Sequence, residues 1–144
     1  TEDDITVTDR EATCTDPDEA VKFVEATDVD SLAIAVGTAH GVYKGEPKLD
    51  YDRIEVIHNR VSVPLVLHGS SGVPDESIKK AISLGISKVN IDTNIRESFA
   101  NAVKEFLKEN PDNIDPRKIL GPAREAMKET IKEKMHVFGS AGRA

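Results

Sequence analysis

Apolar residues fall along the chain in short blocks with two different rhythms. Ser31 to Val36 (SLAIAV), Val63 to Leu67 (VPLVL) and Ser87 to Ile91 (SKVNI) are uninterrupted enough, and short enough, to predict strands. Between them the apolar positions recur every three or four residues. Val21, Phe23 and Val24 form one such set, followed by Tyr51, Ile54 and Ile57, then by Ile78, Ala81, Ile82 and Leu84. Phe99, Val103, Phe106 and Leu107 form another. That spacing collects side chains on one face of a helix. Asp16-Pro17-Asp18-Glu19 predicts where the first helix opens, with Asp16 as N-cap, Pro17 at the first helical position and Glu19 completing a capping box. It should end near Ala26-Thr27. Helices are also expected over 50–60, from Pro74-Asp75-Glu76 onward, over 92–110 and over 115–138. The last is expected to bend or break at Gly121-Pro122, because proline lacks the N–H that the helix needs there.

Strand and helix alternate three times, which calls for a parallel sheet with helices packed outside it. The strands are apolar enough to be buried on both faces. Three parallel strands alone would leave two open edges, and a full eight-strand barrel takes about 250 residues. The predicted fold class is therefore α/β, the last three βα units of a TIM (β/α)8 barrel. The remainder is expected in a missing or separate polypeptide. Residues 1–15 read as the remnant of a mobile loop, 16–109 as the βα units, and 110–144 as C-terminal helices and tail.

With 144 residues, 38 % hydrophobic and 31 % charged, the composition is that of a globular protein. No apolar run approaches the roughly 20 residues that span a bilayer, and the N-terminus lacks the basic and apolar regions of a signal peptide. A cytoplasmic protein without membrane partners is expected. The net charge of −7 argues against nucleic-acid binding, which needs clustered cations. An anionic ligand would have to be held locally, by backbone N–H groups or a helix N-terminus. Cys14 is the only cysteine, which excludes an internal disulfide and suits a reducing compartment. It reads as a surface thiol.

The candidate chemistry sits just past the strands, the end at which α/β enzymes place ligand sites. His40 follows the first strand and His68 the second. Two imidazoles at neighbouring strand ends suit either a shared metal ion or ordinary hydrogen-bonded positions. Gly69-Ser70-Ser71-Gly72 leads into a helix, so its backbone and hydroxyls are candidates for an anion cradle. Asn90-Ile91-Asp92-Thr93 offers a second polar exit. His58 and His136 read as helix-surface residues, Tyr43 and Tyr51 as packing residues. Glu125, Glu129 and Glu133 read as a solvated face shared with lysines.

Taken in order, GTAHGVYKGEP (37–47), LVLHGSSGVP (65–74) and KVNIDTNIR (88–96) resemble the class II, zinc-dependent aldolases of ketose 1,6-bisphosphates, and the tail from Asp115 is similar to that family's C-terminal helices. The resemblance covers essentially the whole chain and places it at strands six to eight of the family's barrel. It implies that His40 and His68 are zinc ligands. It further implies that Gly41, Gly69, Ser70 and Ser71 contact a dihydroxyacetone phosphate portion, with Asn90, Ile91, Asp92 and Thr93 completing the phosphate and hydroxyl contacts. Lys44 would lend charge near the site, and Arg117 would reach the distal phosphate, in the same or a neighbouring subunit of a dimer or tetramer. Two departures stand out. Ser70 occupies a position where the family often has glycine. Nothing matches the family's proton-transfer Asp with its adjacent first zinc His, nor the strand-five Glu, so this chain alone is expected to be inactive.

The implied reaction is reversible cleavage of fructose 1,6-bisphosphate to dihydroxyacetone phosphate and glyceraldehyde 3-phosphate. Tagatose 1,6-bisphosphate cleavage is the alternative within the family. Two readings outside it are a metal-free phosphosugar barrel using His40 and His68 as acid or base, and a non-catalytic phosphate-binding module of flavodoxin-like layout.

Overall fold

The computed structural model describes residues 14–38 and 47–143. The chain divides into two compact units, Thr1–Ile91 and Asp92–Ala144.

The first unit runs α1 (Pro17–Thr27), β1 (Leu32–Ala33), α2 (Tyr51–His58), β2 (Leu65–Leu67), α3 (Asp75–Ser83) and β3 (Ile86–Val89). The strands form one parallel sheet in the order β1-β2-β3. The start of α1 follows the sequence: the Asp16 carboxylate accepts from the N–H groups of Asp18 (2.8 Å) and Glu19 (3.0 Å). Asp50 caps α2 in the same way, accepting from the Arg53 N–H at 3.0 Å. The helices pack in sequence, α1 on α2 and α2 on α3. The core lies between them and the sheet and contains Ala20, Val24, Ile34, Ile54, Ile57, Leu65, Leu67, Ile78, Ala81 and Ile86.

Two expectations are corrected here. Phe23 is 50 % exposed, so it does not belong to the buried face of α1. Ala20 and Val24, four residues apart, define that face, and Phe23 lies about 100° around the helix from Val24. The strands are also shorter than predicted. β1 covers two residues, although the N–H groups of Leu32 and Ile34 continue its ladder to the carbonyls of Pro64 (3.0 Å) and Val66 (3.2 Å). Beyond it Thr15 takes over the outer edge, donating its N–H to the Ala35 carbonyl and accepting the Ala35 N–H on its hydroxyl, both at 2.8 Å. Arg53 donates to the Thr15 carbonyl at 3.0 Å and holds this residue in place.

The second unit is a pair of packed helices, α4 (Thr93–Glu109) and α5 (Pro116–Val137). Asp115 caps α5 by accepting from the Arg117 N–H at 3.0 Å. The expected interruption at Gly121-Pro122 does not occur: α5 is assigned as one helix of 22 residues with Pro122 inside it. Among the described residues no helix is long and apolar enough to cross a membrane.

Candidate active site

The register of the sheet decides which side chains meet. Ala33 pairs with Val66, and Val66 pairs with Lys88. Paired residues in a parallel sheet point to the same side, and so do residues two apart. Ala35, His68 and Asn90 therefore form the next row on the same face. A bulge makes this alignment: Leu65 pairs with Ile86, but the next residue, Val66, pairs with Lys88, leaving Ser87 as the extra residue. Without that insertion, Lys88 and Asn90 would project from the opposite face to His68.

Ala33 and Ala35 are exposed and contribute only methyl groups, which leaves space over this face. A cavity of about 280 Å³ opens there, lined by Ala33, Ile34, Ala35, Thr38, His68 and Gly69. The His68 ring lies beside the side-chain nitrogen of Asn90, which is 2.9 Å from Nε2 and 3.4 Å from Nδ1. At its other end the Asn90 amide oxygen accepts from Lys88 Nζ at 2.9 Å. An ammonium only donates, so the amide must present its oxygen to Lys88 and its NH2 to the imidazole. Because that NH2 lies close to both ring nitrogens, the contact positions the ring without selecting its tautomer. The Asn90 backbone is fixed as well, donating to the Leu67 carbonyl at 2.9 Å.

Past His68 the chain turns through Gly69, whose φ of 64° is the left-handed conformation that glycine adopts freely. Ser70 needs no such freedom: among the described residues Asp28 is the only non-glycine with positive φ. Serine in place of the family's glycine thus carries no left-handed strain. Ser70 is 3 % exposed, and its buried hydroxyl oxygen has no hydrogen-bond partner among the described residues. Such a group costs about 1–3 kcal/mol unless something completes it, and an anionic oxygen in the turn would do so. Ser71 beside it is also buried. The N-terminus of α3 contributes less than its position promised. No side chain caps it, but Asp75 and Glu76 stand in its first turn and offset the positive end of the helix dipole.

The structure thus brings together His68, Gly69, Ser70, Ser71 and Asn90, with Ile91 half-buried at the end of the same unit. His40, Gly41 and Lys44 lie outside the described residues. Asp92, Thr93 and Arg117 belong to the second unit. There Asp92 accepts from Arg96 Nε at 2.9 Å, and Thr93 opens α4. Arg117 is held by Asp115 through Nε–Oδ1 (3.0 Å) and Nη2–Oδ2 (2.9 Å). That guanidinium keeps the Asp115 carboxyl below the usual carboxylate range. Arg117 also borders a groove of about 610 Å³ with Phe99, Leu120, Arg124 and Met127. Lys88 escaped the sequence reading, although its place two residues before Asn90 on a strand marks it as sharing a face.

Among the described residues no three His, Cys, Asp or Glu side chains are grouped to hold a metal ion. His68 nevertheless carries an imidazole, the commonest metal-binding side chain, beside the cavity over the sheet.

Comparison with known proteins bears on the fold and the family. The family model described as fructose-bisphosphate aldolase class-II matches residues 1–143. The crystal structure of the YdjI aldolase from Escherichia coli K12 is 47 % identical, with a TM-score of 0.79 over 91 % of this chain and 48 % of that one. Fructose-bisphosphate aldolase (Fba) from Campylobacter jejuni is 25 % identical, with a TM-score of 0.73 over 96 % of this chain and 49 % of that one. The chain spans about half the length of these structures, and the expected α/β part-barrel is borne out. Matched by its model over all but the final residue, the chain belongs to the class II fructose-bisphosphate aldolase family.

Proposed function

We propose that this chain forms part of a zinc-dependent ketose-bisphosphate aldolase that reversibly cleaves fructose 1,6-bisphosphate to dihydroxyacetone phosphate and glyceraldehyde 3-phosphate. The observation that carries the reading is the juxtaposition, past one strand, of the His68 imidazole with a buried Ser70 hydroxyl that has no partner among the described residues. His68 and His40 would hold the metal. When bound, zinc supplies a Lewis acid that stabilises the negative charge arising as the bond between carbons three and four breaks.

The other residues bind and orient. Ser70 and Ser71, with the backbone of Gly69 and Gly41, would hold the phosphate of the dihydroxyacetone portion. Anchored there, the substrate carbonyl is presented to the cation end of the site, and this positioning lowers the entropic part of the barrier. Asn90, Ile91, Asp92 and Thr93 would complete the phosphate and hydroxyl contacts, with Lys44 adding positive charge. Arg117 is assigned to the distal phosphate, in a dimer or tetramer working in the cytoplasm. The proton-transfer Asp and the first zinc His would come from the other part of the barrel, so the chain alone is inactive.

The test is an aldol-cleavage assay on the intact protein, with trapping of the triose phosphates, before and after treatment with a chelator. Cleavage of fructose 1,6-bisphosphate that disappears on chelation and returns with zinc is expected. Chelator-resistant cleavage, or turnover of tagatose 1,6-bisphosphate alone, would overturn the assignment of metal or substrate respectively.

A further inference from the structure

We propose that Arg53 is a positioning residue: by joining the Thr15 carbonyl to the Asp50 carboxylate it closes a clamp that fixes how the chain leaves β1, from Ala35 to Thr38, beside the cavity that His68 borders. The geometry stands apart from the aldolase reading; only the consequence for a metal rests on it.

The ladder between β1 and β2 runs as far as the Ile34 N–H, which donates to the Val66 carbonyl at 3.2 Å. The next two residues turn to other segments. Ala35 exchanges two hydrogen bonds of 2.8 Å with Thr15, and the Val36 carbonyl accepts from the Asp50 N–H at 2.9 Å. Thr15 and Asp50 are distant in the sequence, and Arg53 ties them together. Its Nη1 donates to the Thr15 carbonyl and its Nε to Asp50 Oδ2, both at 3.0 Å. Asp50 Oδ1 accepts from the Arg53 N–H, so the carboxylate is held at both oxygens. A planar guanidinium suits this task because it offers several donors in fixed directions, where an ammonium is a single point. Only 16 % of the Arg53 side chain is exposed, so these bonds are sheltered from much of the solvent that weakens a surface pair. Immediately past the clamp the backbone swings through Gly37, with φ of 96°, and Thr38 joins Ala35 and His68 in the cavity wall. In the aldolase reading the candidate ligand His40 comes two residues later, so the clamp fixes the segment to which that ligand is joined.

The experiment follows amide hydrogen exchange, residue by residue, in the intact protein as wild type, Arg53→Met, Thr15→Val and the double variant. Arg53→Met is expected to speed exchange at Ala35 and Asp50 on the order of 10–100-fold, the worth of a charge-assisted bond. Leu32 and Asn90, whose N–H groups bond within the sheet, are expected to keep their wild-type rates. Thr15→Val removes the hydroxyl that accepts from Ala35, and adding Arg53→Met to it is expected to change Ala35 by less than about threefold, because one acts through the other. Should Arg53→Met fail to fold, Arg53→Lys, which keeps the charge but cannot fork, is read with the same signs. Equal acceleration at all four amides would make Arg53 a general stabiliser and overturn the proposal. Unchanged rates at Ala35 and Asp50, or fully additive effects at Ala35, would overturn it too. Zinc is then titrated into wild type and Arg53→Met, which is expected to bind on the order of 10-fold more weakly. Zinc binding by neither would count against the aldolase reading and leave the exchange result standing. Equal affinity with localised exchange would overturn the consequence drawn for the metal.

Discussion

Ile57 in α2 and Leu107 in α4 are both apolar residues on amphipathic helices, yet Ile57 is wholly buried and Leu107 keeps 38 % of its surface exposed. The same contrast runs through their surroundings. In the first unit each helix has a sheet and a neighbouring helix to bury its face against, and nearly every fully buried apolar residue among those described lies there. The second unit, taken by itself, is α4 packed on α5; none of α4's residues is fully buried, and Ala123 is the one buried side chain of α5. Ile114, Leu120, Ile131 and Met135 stay exposed. Amphipathic pattern alone therefore builds a helix but not a core; a core requires a second layer. The candidate site follows the core, since His68, Ser70 and Asn90 all stand at the ends of strands that the first unit holds rigid.

The largest test of that contrast is truncation. Leu67→Ala in the first unit is expected to cost about 2–5 kcal/mol in urea unfolding, the range for a buried leucine, whereas Leu107→Ala is expected to cost under about 1 kcal/mol. Equal losses would dissolve the distinction between the units. Next comes Gly85, with φ of +120° and a position where a Cβ would overlap the His58 ring. Gly85→Ala is expected to destabilise by about 1–3 kcal/mol. Adding His58→Ala is expected to recover only part of this, because the backbone strain persists; full recovery would mean the φ carries no cost.

Ser70→Ala removes a buried hydroxyl that no group among the described residues satisfies, so stability is expected to hold or rise by up to about 1 kcal/mol. Phosphate binding by the intact protein, followed by calorimetry, is expected to weaken at the same time. A loss of stability with unchanged phosphate binding would give Ser70 a purely structural role.

The smallest effect is on pH. Asp16 is held below its ordinary pKa mainly by the Glu19 N–H, and Asp115 mainly by the Arg117 side chain. A carboxyl whose folded pKa is depressed stabilises the fold above its unfolded value and ceases to do so as pH falls through the lowered one. A modest fall in Tm is thus expected below about pH 4, with Asp16→Asn and Asp115→Asn flattening it. A Tm that falls equally in those variants would place the acid sensitivity elsewhere.

Local signals were legible in the chain; non-local ones were not. Asp16 announces the start of α1 because capping chemistry involves only neighbouring residues, and the structure adds Asp50 and Asp115 as caps of α2 and α5. Ile54, Ile57, Ile78 and Ala81 are buried as their spacing indicates. Glu125 and Glu129 pair with Lys128 and Lys132, as a solvated face should. The placing of Lys88 on the face of His68 stayed hidden because it depends on a bulge, and a bulge is a property of two strands together. The continuity of α5 across Pro122 was hidden too. One lost hydrogen bond is tolerated in a helix of 22 residues, and nothing crowds Gly121 beside it.

The most direct measurement is the zinc content of the intact protein, determined by elemental analysis for wild type and for His68→Ala side by side. If His68 is a metal ligand, wild type retains about one zinc per complete barrel and His68→Ala loses most of it. Equal zinc in both proteins, or none in either after zinc supplementation, would contradict that role.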